Sequence, residues 1–283
     1  MFTINNKYSN IMARKNDLFK EFRNINEFVS YLDSFGPPSP RDESNWTYDA
    51  EWYGSVDYAD ARQRVLTGNG ELAKKLRGSE NLDIRVPSTG TRRKMQAAVV
   101  GFMPHVPNAI AGIPTSMITV REQKISKKVI SVYYGVNTSE SVSADNITKV
   151  SARVMSCIMS LERKGYRVNL YAVNCANTSD CSSYKYVCFT VKIKDSGQHM
   201  DVLKMAMPMI SPAWNRRMAF RLRELNGVGH GMGRSVYGDK LREFLDKHHV
   251  KYDVALSYYD AENIKTVEGL EKLFIESTKK INK

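Results

Sequence analysis

The sequence predicts an α/β fold, a sheet flanked by helices, preceded by a mainly helical and irregular region. Two observations favour this class. Beyond residue 120, short runs rich in β-branched and aromatic residues alternate with stretches of helical periodicity. Their order is strand, helix, strand, strand, helix, helix, strand, helix, which is typical of a sheet with helices on its faces. We therefore predict a helical and loop-rich region over residues 1–120 and an α/β domain over residues 121–283.

The first region is expected to contain helices separated by breaks. Residues 17–33 place apolar side chains at helical spacing, and Asp17 is a favoured residue type for the N-cap. Further helices are predicted over three segments: 58–66, 70–77 and 91–100. The stretch 101–120 holds three prolines and two glycines among apolar residues, which predicts an apolar loop packed on the core.

The second region supplies the sheet and the helices that cover it. Strands are predicted over residues 127–136, 166–174, 183–195 and 252–259. Helices are predicted over residues 144–164, on both sides of Pro212, and near residues 236–248 and 266–280. The first of these helices has one continuous apolar face and ends at Gly165, a residue type that commonly terminates helices.

Composition narrows the class of protein. Of the 283 residues, 42% are hydrophobic and 25% are charged, as in ordinary globular proteins. No apolar run approaches the roughly 20 residues that span a bilayer, and the first residues have no signal-peptide core. We therefore expect no membrane partner and a cytoplasmic location.

The sequence contains no recognisable catalytic constellation. The four cysteines match no common zinc spacing. We find no nucleophile elbow, no paired His/Cys motif and no carboxylate cluster. Because triads are assembled in space, this absence favours a protein that is not an enzyme without settling the matter. We predict no catalytic residues.

The stretch "VYYGVNTSES" places three oxygen-bearing side chains at alternate positions after a predicted strand: Asn137, Ser139 and Ser141. Ligands in α/β sheets bind at the carboxyl ends of strands, and hard cations such as Mg²⁺ prefer oxygen ligands. A second interpretation is a polar loop that satisfies backbone donors at the start of the next helix. Both interpretations are open at this stage.

The order strand, "NTSES", helix, "LERKGYRVNLYAV" resembles the opening of a von Willebrand factor A domain. That family carries Asp-x-Ser-x-Ser at this strand end and binds a divalent cation there. Asn137 stands at the position of the first Asp, while Ser139 and Ser141 match the two serines. The resemblance covers roughly residues 124–262. It implies a Rossmann-like sheet and a degenerate metal site that holds either no cofactor or Mg²⁺.

Three longer stretches, "VPNAIAGIPTSM", "SLERKGYRVNLY" and "SPAWNRRMAF", are similar to an uncharacterised protein family found in tailed bacteriophages. This resemblance spans about residues 25–262. It implies a phage or prophage source, and with it a location in the cytoplasm of the host cell, with association with the virion left open. It implies no activity, because the family has none assigned.

Positive charge is unevenly distributed along a chain with a formal net charge of +12. The segments 61–100 and 204–251 each carry an excess of six positive charges. Basic residues beside aromatic ones suit nucleic acid, and the predicted contacts are Arg92, Arg93, Lys94, Arg216, Arg217 and Arg221. The alternative for the last three is an amphipathic helix with a solvated basic side.

These observations lead to two functional hypotheses. The first is a non-enzymatic, phage-encoded interaction protein that binds a protein partner, either a host factor or a phage assembly component, at the strand-end surface 137–141. The second is a basic protein that binds phage or host nucleic acid.

Overall fold

Five strands form the central sheet. The computed structural model describes residues 16–34, 36, 53–78, 91–124, 129–178, 184–228 and 234–280. The strands are β1 (Asn16–Phe22), β5 (Val129–Gly135), β6 (Arg167–Asn177), β7 (Tyr184–Lys194) and β8 (Val254–Ser257). Their order in the sheet is β1-β7-β6-β5-β8. Only β6 and β7 pair antiparallel, and the other three pairings are parallel. The predicted Rossmann-like α/β class is confirmed.

The helices flank this sheet. They are α1 (Ile25–Asp33), α2 (Tyr58–Thr67), α3 (Gly70–Gly78), α4 (Val106–Ile110), α5 (Ala144–Arg163), α6 (Val202–Ile210), α7 (Phe220–Leu225), α8 (Gly238–Lys247), α9 (Tyr258–Asn263) and α10 (Val267–Lys280). A π-helical turn, Trp214–Ala219, precedes α7. Among the residues that the structure describes, no helix is both long and apolar enough to cross a membrane.

Successive side chains of a strand point to opposite faces of a sheet, and β5 shows this clearly. Ile130, Val132 and Tyr134 belong to the larger core, on the face covered by most of the helices. Tyr133 belongs to a smaller core on the other face, where α8 contributes Phe244. The sheet is therefore buried on both faces, which explains why its strands are nearly continuous in apolar residues.

The N-terminal segment joins the sheet, which corrects the predicted helix over residues 17–33. Residues 16–22 form β1 and pair parallel with β7. The helix starts only at Ile25, where the side chain of Asn24 accepts the backbone N–H of Glu27 at 2.8 Å. The apolar residues of this segment fit either period, and pairing with the edge of the sheet decides between them.

A second, three-stranded sheet has the order β2-β4-β3, with β2 (Thr91–Ala98), β3 (Met103–Pro104) and β4 (Met117–Lys124). The predicted helix over 91–100 is therefore wrong. Cross-strand pairing with β4 overrides the helical propensity of this segment. At the turn after β2, a Cβ on Gly101 would lie 2.1 Å from the carbonyl oxygen of Ile118, so only glycine permits this approach.

The stretch 101–120 does not pack on the core as predicted. None of its residues is buried, and Ile110 in α4 is 83% exposed. The prolines and glycines of the stretch serve a short strand, a one-turn helix and the connection to β4.

The last strand is shorter than predicted, since β8 ends at Ser257 and α9 begins at Tyr258. Ser257 and Asp260 form a capping box, in which each side chain accepts the backbone N–H of the other residue. This box starts the helix immediately at the strand end and so turns Tyr259 toward the loop that follows β5, whose Ser139 contacts it.

Candidate functional site

The loop after β5 lies at the carboxyl edge of the sheet, beside the end of β8. Gly135 is paired with Ser257 at this edge. Asn137 follows and is only 6% exposed. Its amide nitrogen donates to the carbonyl oxygen of Cys175 on β6 at 2.8 Å, and its own carbonyl accepts the hydroxyl of Ser235 at 3.2 Å. Asn137 therefore ties the loop to the sheet.

Ser139 and Ser141 lie on the outer part of the loop. The Ser141 hydroxyl donates to the Ser139 hydroxyl oxygen at 3.1 Å. The backbone N–H of Ser139 donates to the Tyr259 hydroxyl at 3.1 Å, which links the loop to α9. Ser143 then accepts the backbone N–H of Asn146 as the N-cap of α5. Part of the loop thus satisfies backbone donors at a helix start, as the second interpretation predicts.

The structure brings together two of the three predicted cation ligands. The hydroxyls of Ser139 and Ser141 are adjacent, whereas the amide nitrogen of Asn137 is engaged with β6. Within the described ranges, no group of three or more His, Cys, Asp or Glu side chains is placed to hold a metal ion. The carboxylate of Glu262 is engaged at the start of α5, where it accepts a hydrogen bond from the side-chain amide nitrogen of Asn146 at 2.6 Å. Cation binding at this loop stays a prediction.

A tyrosine pair that the sequence analysis missed completes the exposed surface of this edge. The rings of Tyr237 and Tyr259 have centroids 4.6 Å apart. Tyr237, just before α8, is 53% exposed, while Tyr259 is half-buried and its burial raises the pKa of its hydroxyl. The Ser-x-x-Asp sequence from Ser257 to Asp260 was the available signal, because it predicts a helix start directly before Tyr259.

The basic residues predicted to contact nucleic acid do not form one surface. Arg217 and Arg221 are both buried. Arg217 donates to the carbonyl oxygen of Val56 at 2.6 Å, and Arg221 donates to that of Leu32 at 3.2 Å. Their guanidinium groups therefore hold N-terminal segments and are closed to a phosphate, which corrects the prediction for these two residues.

The remaining predicted contacts lie elsewhere. Arg216 is half-buried and its guanidinium lies 5.1 Å from the ring centroid of Phe220. Lys94 is exposed on β2, and the side chains of Arg92 and Arg93 lie outside the part of the chain that the structure describes. Nucleic-acid contact by Arg92, Arg93 and Lys94 stays a prediction.

We expect Asn137→Asp to lower the free energy of unfolding by about 1–3 kcal/mol at pH 7, because an ionised carboxylate then faces the Cys175 carbonyl. The folded-state pKa of the new carboxyl is raised above its unfolded value near 3.9. The folded state therefore binds more protons than the unfolded state, and the loss of unfolding free energy becomes smaller as pH falls toward that value. Urea unfolding of the wild type and of Asn137→Asp, from about pH 4 to about pH 8, measures this pH dependence of the unfolding free energy. Recovery in Mg²⁺ that Ser139→Ala abolishes would instead establish a cation site.

A cavity of about 720 Å³ lies at the opposite edge of the sheet, where β7 ends. Its lining includes Lys192, Lys194, Asp195 and Asp201. Lys192 pairs with Asp195 at 3.3 Å, and Lys194 pairs with Glu162 at 2.5 Å. These two ammonium groups are neutralised within the protein, so the cavity is a weaker candidate for a binding site than the carboxyl edge of the sheet.

Comparison with known proteins gives a family and no activity. No curated protein matches the chain, and no solved structure matches it. A family model does match, over residues 5–276, and it thus covers the central sheet, its helices and the second sheet. Its description is a domain of unknown function, DUF7192, and because the match extends over nearly the whole sequence, the chain belongs to this family.

Proposed function

We propose that this chain is a non-enzymatic interaction protein that binds a protein partner at the carboxyl edge of its sheet. The observation that carries the proposal is the tyrosine pair, in which the exposed ring of Tyr237 contacts that of Tyr259 at an interplanar angle of 55°. Tyrosine is enriched at the energetic centres of protein interfaces, since it combines a large apolar ring with a polar hydroxyl. The adjacent Ser139 and Ser141 supply hydroxyls around it.

The site is held by the fold, which favours recognition of a preformed surface. Asn137 fixes the loop to β6. The Ser139 N–H fixes it to Tyr259, and the capping box fixes the start of α9. A side chain held in this way loses little conformational freedom on binding. The similarity to a tailed-phage family and to von Willebrand A domains adds the proposal that the partner is a host factor or a phage assembly component.

The nucleic-acid hypothesis has less support from the geometry. Two of its six predicted residues, Arg217 and Arg221, are buried. The exposed Lys94 and Arg121 are paired across β2 and β4, and they form the described part of a basic surface. We therefore retain nucleic-acid binding only as an alternative function, with Lys94 and Arg121 on the second sheet as its contacts.

The test is quantitative affinity purification of the full chain from phage-infected cells, with Tyr237→Ala and a matched control, Leu203→Ala. Leu203 is an exposed apolar residue on α6, away from the carboxyl edge. We expect a partner retained by the wild type and by Leu203→Ala, and bound about 30-fold more weakly by Tyr237→Ala, as for an interface hot spot worth about 2 kcal/mol. Equal binding by all three proteins would contradict the proposed site.

A further inference from the structure

The segment 94–121, which we call the arm, contains no buried residue. It comprises most of β2 and β4 together with β3 and α4. Between residues 95 and 120 the sequence has no Asp, Glu, Lys or Arg. Of the thirteen large hydrophobic residues that are exposed in the described part of the chain, nine lie here. They are Met95, Val99, Val100, Phe102, Met103, Val106, Ile110, Ile113 and Val120.

The strand register divides this sheet into two unlike faces. Met95 is paired with Val120, and Ile118 is paired with both Ala97 and Met103. Because paired residues share a face and successive residues alternate, these five apolar residues lie on one face. We call it the apolar face.

The opposite face carries the alternate residues of the same two strands. There Lys94 is paired with Arg121, Gln96 is paired with Thr119, and Met117 is paired with both Ala98 and Pro104. We call it the polar face, because Lys94 and Arg121 lie on it and are exposed. The apolar face, in contrast, has the composition of a sheet interior although most of its residues are exposed.

Such a sheet lacks a core of its own. Three strands are stable when an apolar face is packed against another element, and within the described residues the apolar face is uncovered, with Met95 64% exposed. Large exposed apolar patches mark interaction surfaces. The partner must therefore present an apolar, uncharged surface of similar size, and it must be available whenever the chain folds.

We propose that the apolar face of the arm packs against the apolar face of a second copy of this chain. Two such sheets, about 10 Å apart, form a β-sandwich. The second copy supplies the required surface and is always present at equal concentration.

Charge also favours a second copy. Despite the net charge of +12 for the whole chain, residues 95–120 contain no Asp, Glu, Lys or Arg. The part of the apolar face that these residues form is thus uncharged and does not repel its own copy. An acidic partner would match the polar face with Lys94 and Arg121 instead.

The composition of the arm favours a protein partner over a lipid surface. Residues 95–120 contain no Trp, Tyr or Leu and are rich in Val and Ile. Trp and Tyr are the residues enriched at membrane interfaces, whereas β-branched side chains pack well on sheets.

Light scattering coupled to size exclusion tests the proposal on the full chain. We expect the wild type to have twice the mass of the 32.2 kDa chain. Met95→Glu/Val120→Glu places two charges on neighbouring positions of the apolar face and should weaken self-association about 100-fold or more, because the charges would be buried unpaired. Gln96→Glu/Thr119→Glu places the same charges on the same two strands, on the polar face, and should remain dimeric.

Three results would overturn the proposal. The first is a monomeric wild type at about 100 μM, a concentration well above the Kd of a stable interface. The second is a Met95→Glu/Val120→Glu variant that remains dimeric. The third is an equal loss of dimer in both double variants. Circular dichroism confirms that each variant keeps the folded central sheet. A monomeric wild type that co-floats with vesicles of anionic phospholipid would assign the apolar face to a membrane surface.

Discussion

Lys194→Met is expected to lower the free energy of unfolding by about 3–5 kcal/mol. Lys194 lies at the end of β7 with its side chain 1% exposed, and its ammonium group donates to Glu162 at 2.5 Å. It also donates to the carbonyl oxygens of Val168 and Asp195, at 3.2 and 3.3 Å. Removing the ammonium leaves a nearly buried carboxylate without its counter-charge, which costs far more than loss of an exposed ion pair.

A double variant separates the energy of the ion pair between Lys194 and Glu162 from that of the other contacts of Lys194. Lys194→Met/Glu162→Gln removes both charges and should recover much of the stability that Lys194→Met loses, since no uncompensated charge remains. Urea unfolding of the wild type, both single variants and the double variant gives the coupling free energy. Lys164→Met/Glu271→Gln is a matched cycle on a half-exposed pair. A cost for Lys194→Met no larger than about 1 kcal/mol, as for exposed pairs, would show that the Lys194 pair is effectively solvated.

The sheet and its helices were predictable because their signals are local. The apolar face of α5, with Gly165 after its end, needs no knowledge of the rest of the chain. The strand β1 was mistaken for a helix because its partner, β7, lies about 170 residues away in sequence. The helix predicted at 91–100 failed for the same reason, since β4 decides its conformation.

The candidate site was only partly predictable. The alternation of Asn137, Ser139 and Ser141 correctly identified a loop at the carboxyl edge of the sheet. Tyr237 and Tyr259 come from two other elements, and no spacing in the sequence indicates that their rings meet. The arginines near residue 220 show the opposite problem. Their basic pattern suggests a surface, and only the structure reveals the backbone carbonyls that they bind.

Arg221→Ala is expected to destabilise the fold by about 3 kcal/mol without reducing retention on heparin by the folded protein. The buried guanidinium of Arg221 donates to the carbonyl oxygens of Leu32 and Gly36, at 3.2 and 2.5 Å. It also lies 4.5 Å from the ring centroid of Tyr58. The buried Leu32 carbonyl loses this donor, which costs about 1–3 kcal/mol. Gly36 is exposed, so its carbonyl can bind water and adds little, whereas the cation–π contact adds about 1 kcal/mol.

Arg221→Lys keeps the charge but lacks the planar group that reaches both carbonyls, so we expect it to recover less than half of the loss. Lys240→Ala, an exposed position on α8, provides the control for removal of one positive charge. Thermal unfolding and heparin elution, measured on the same four proteins, separate the two roles of a basic residue. Earlier elution of Arg221→Ala than of Lys240→Ala, with unchanged unfolding temperature, would return Arg221 to the nucleic-acid hypothesis and contradict its role in binding the N-terminal segment.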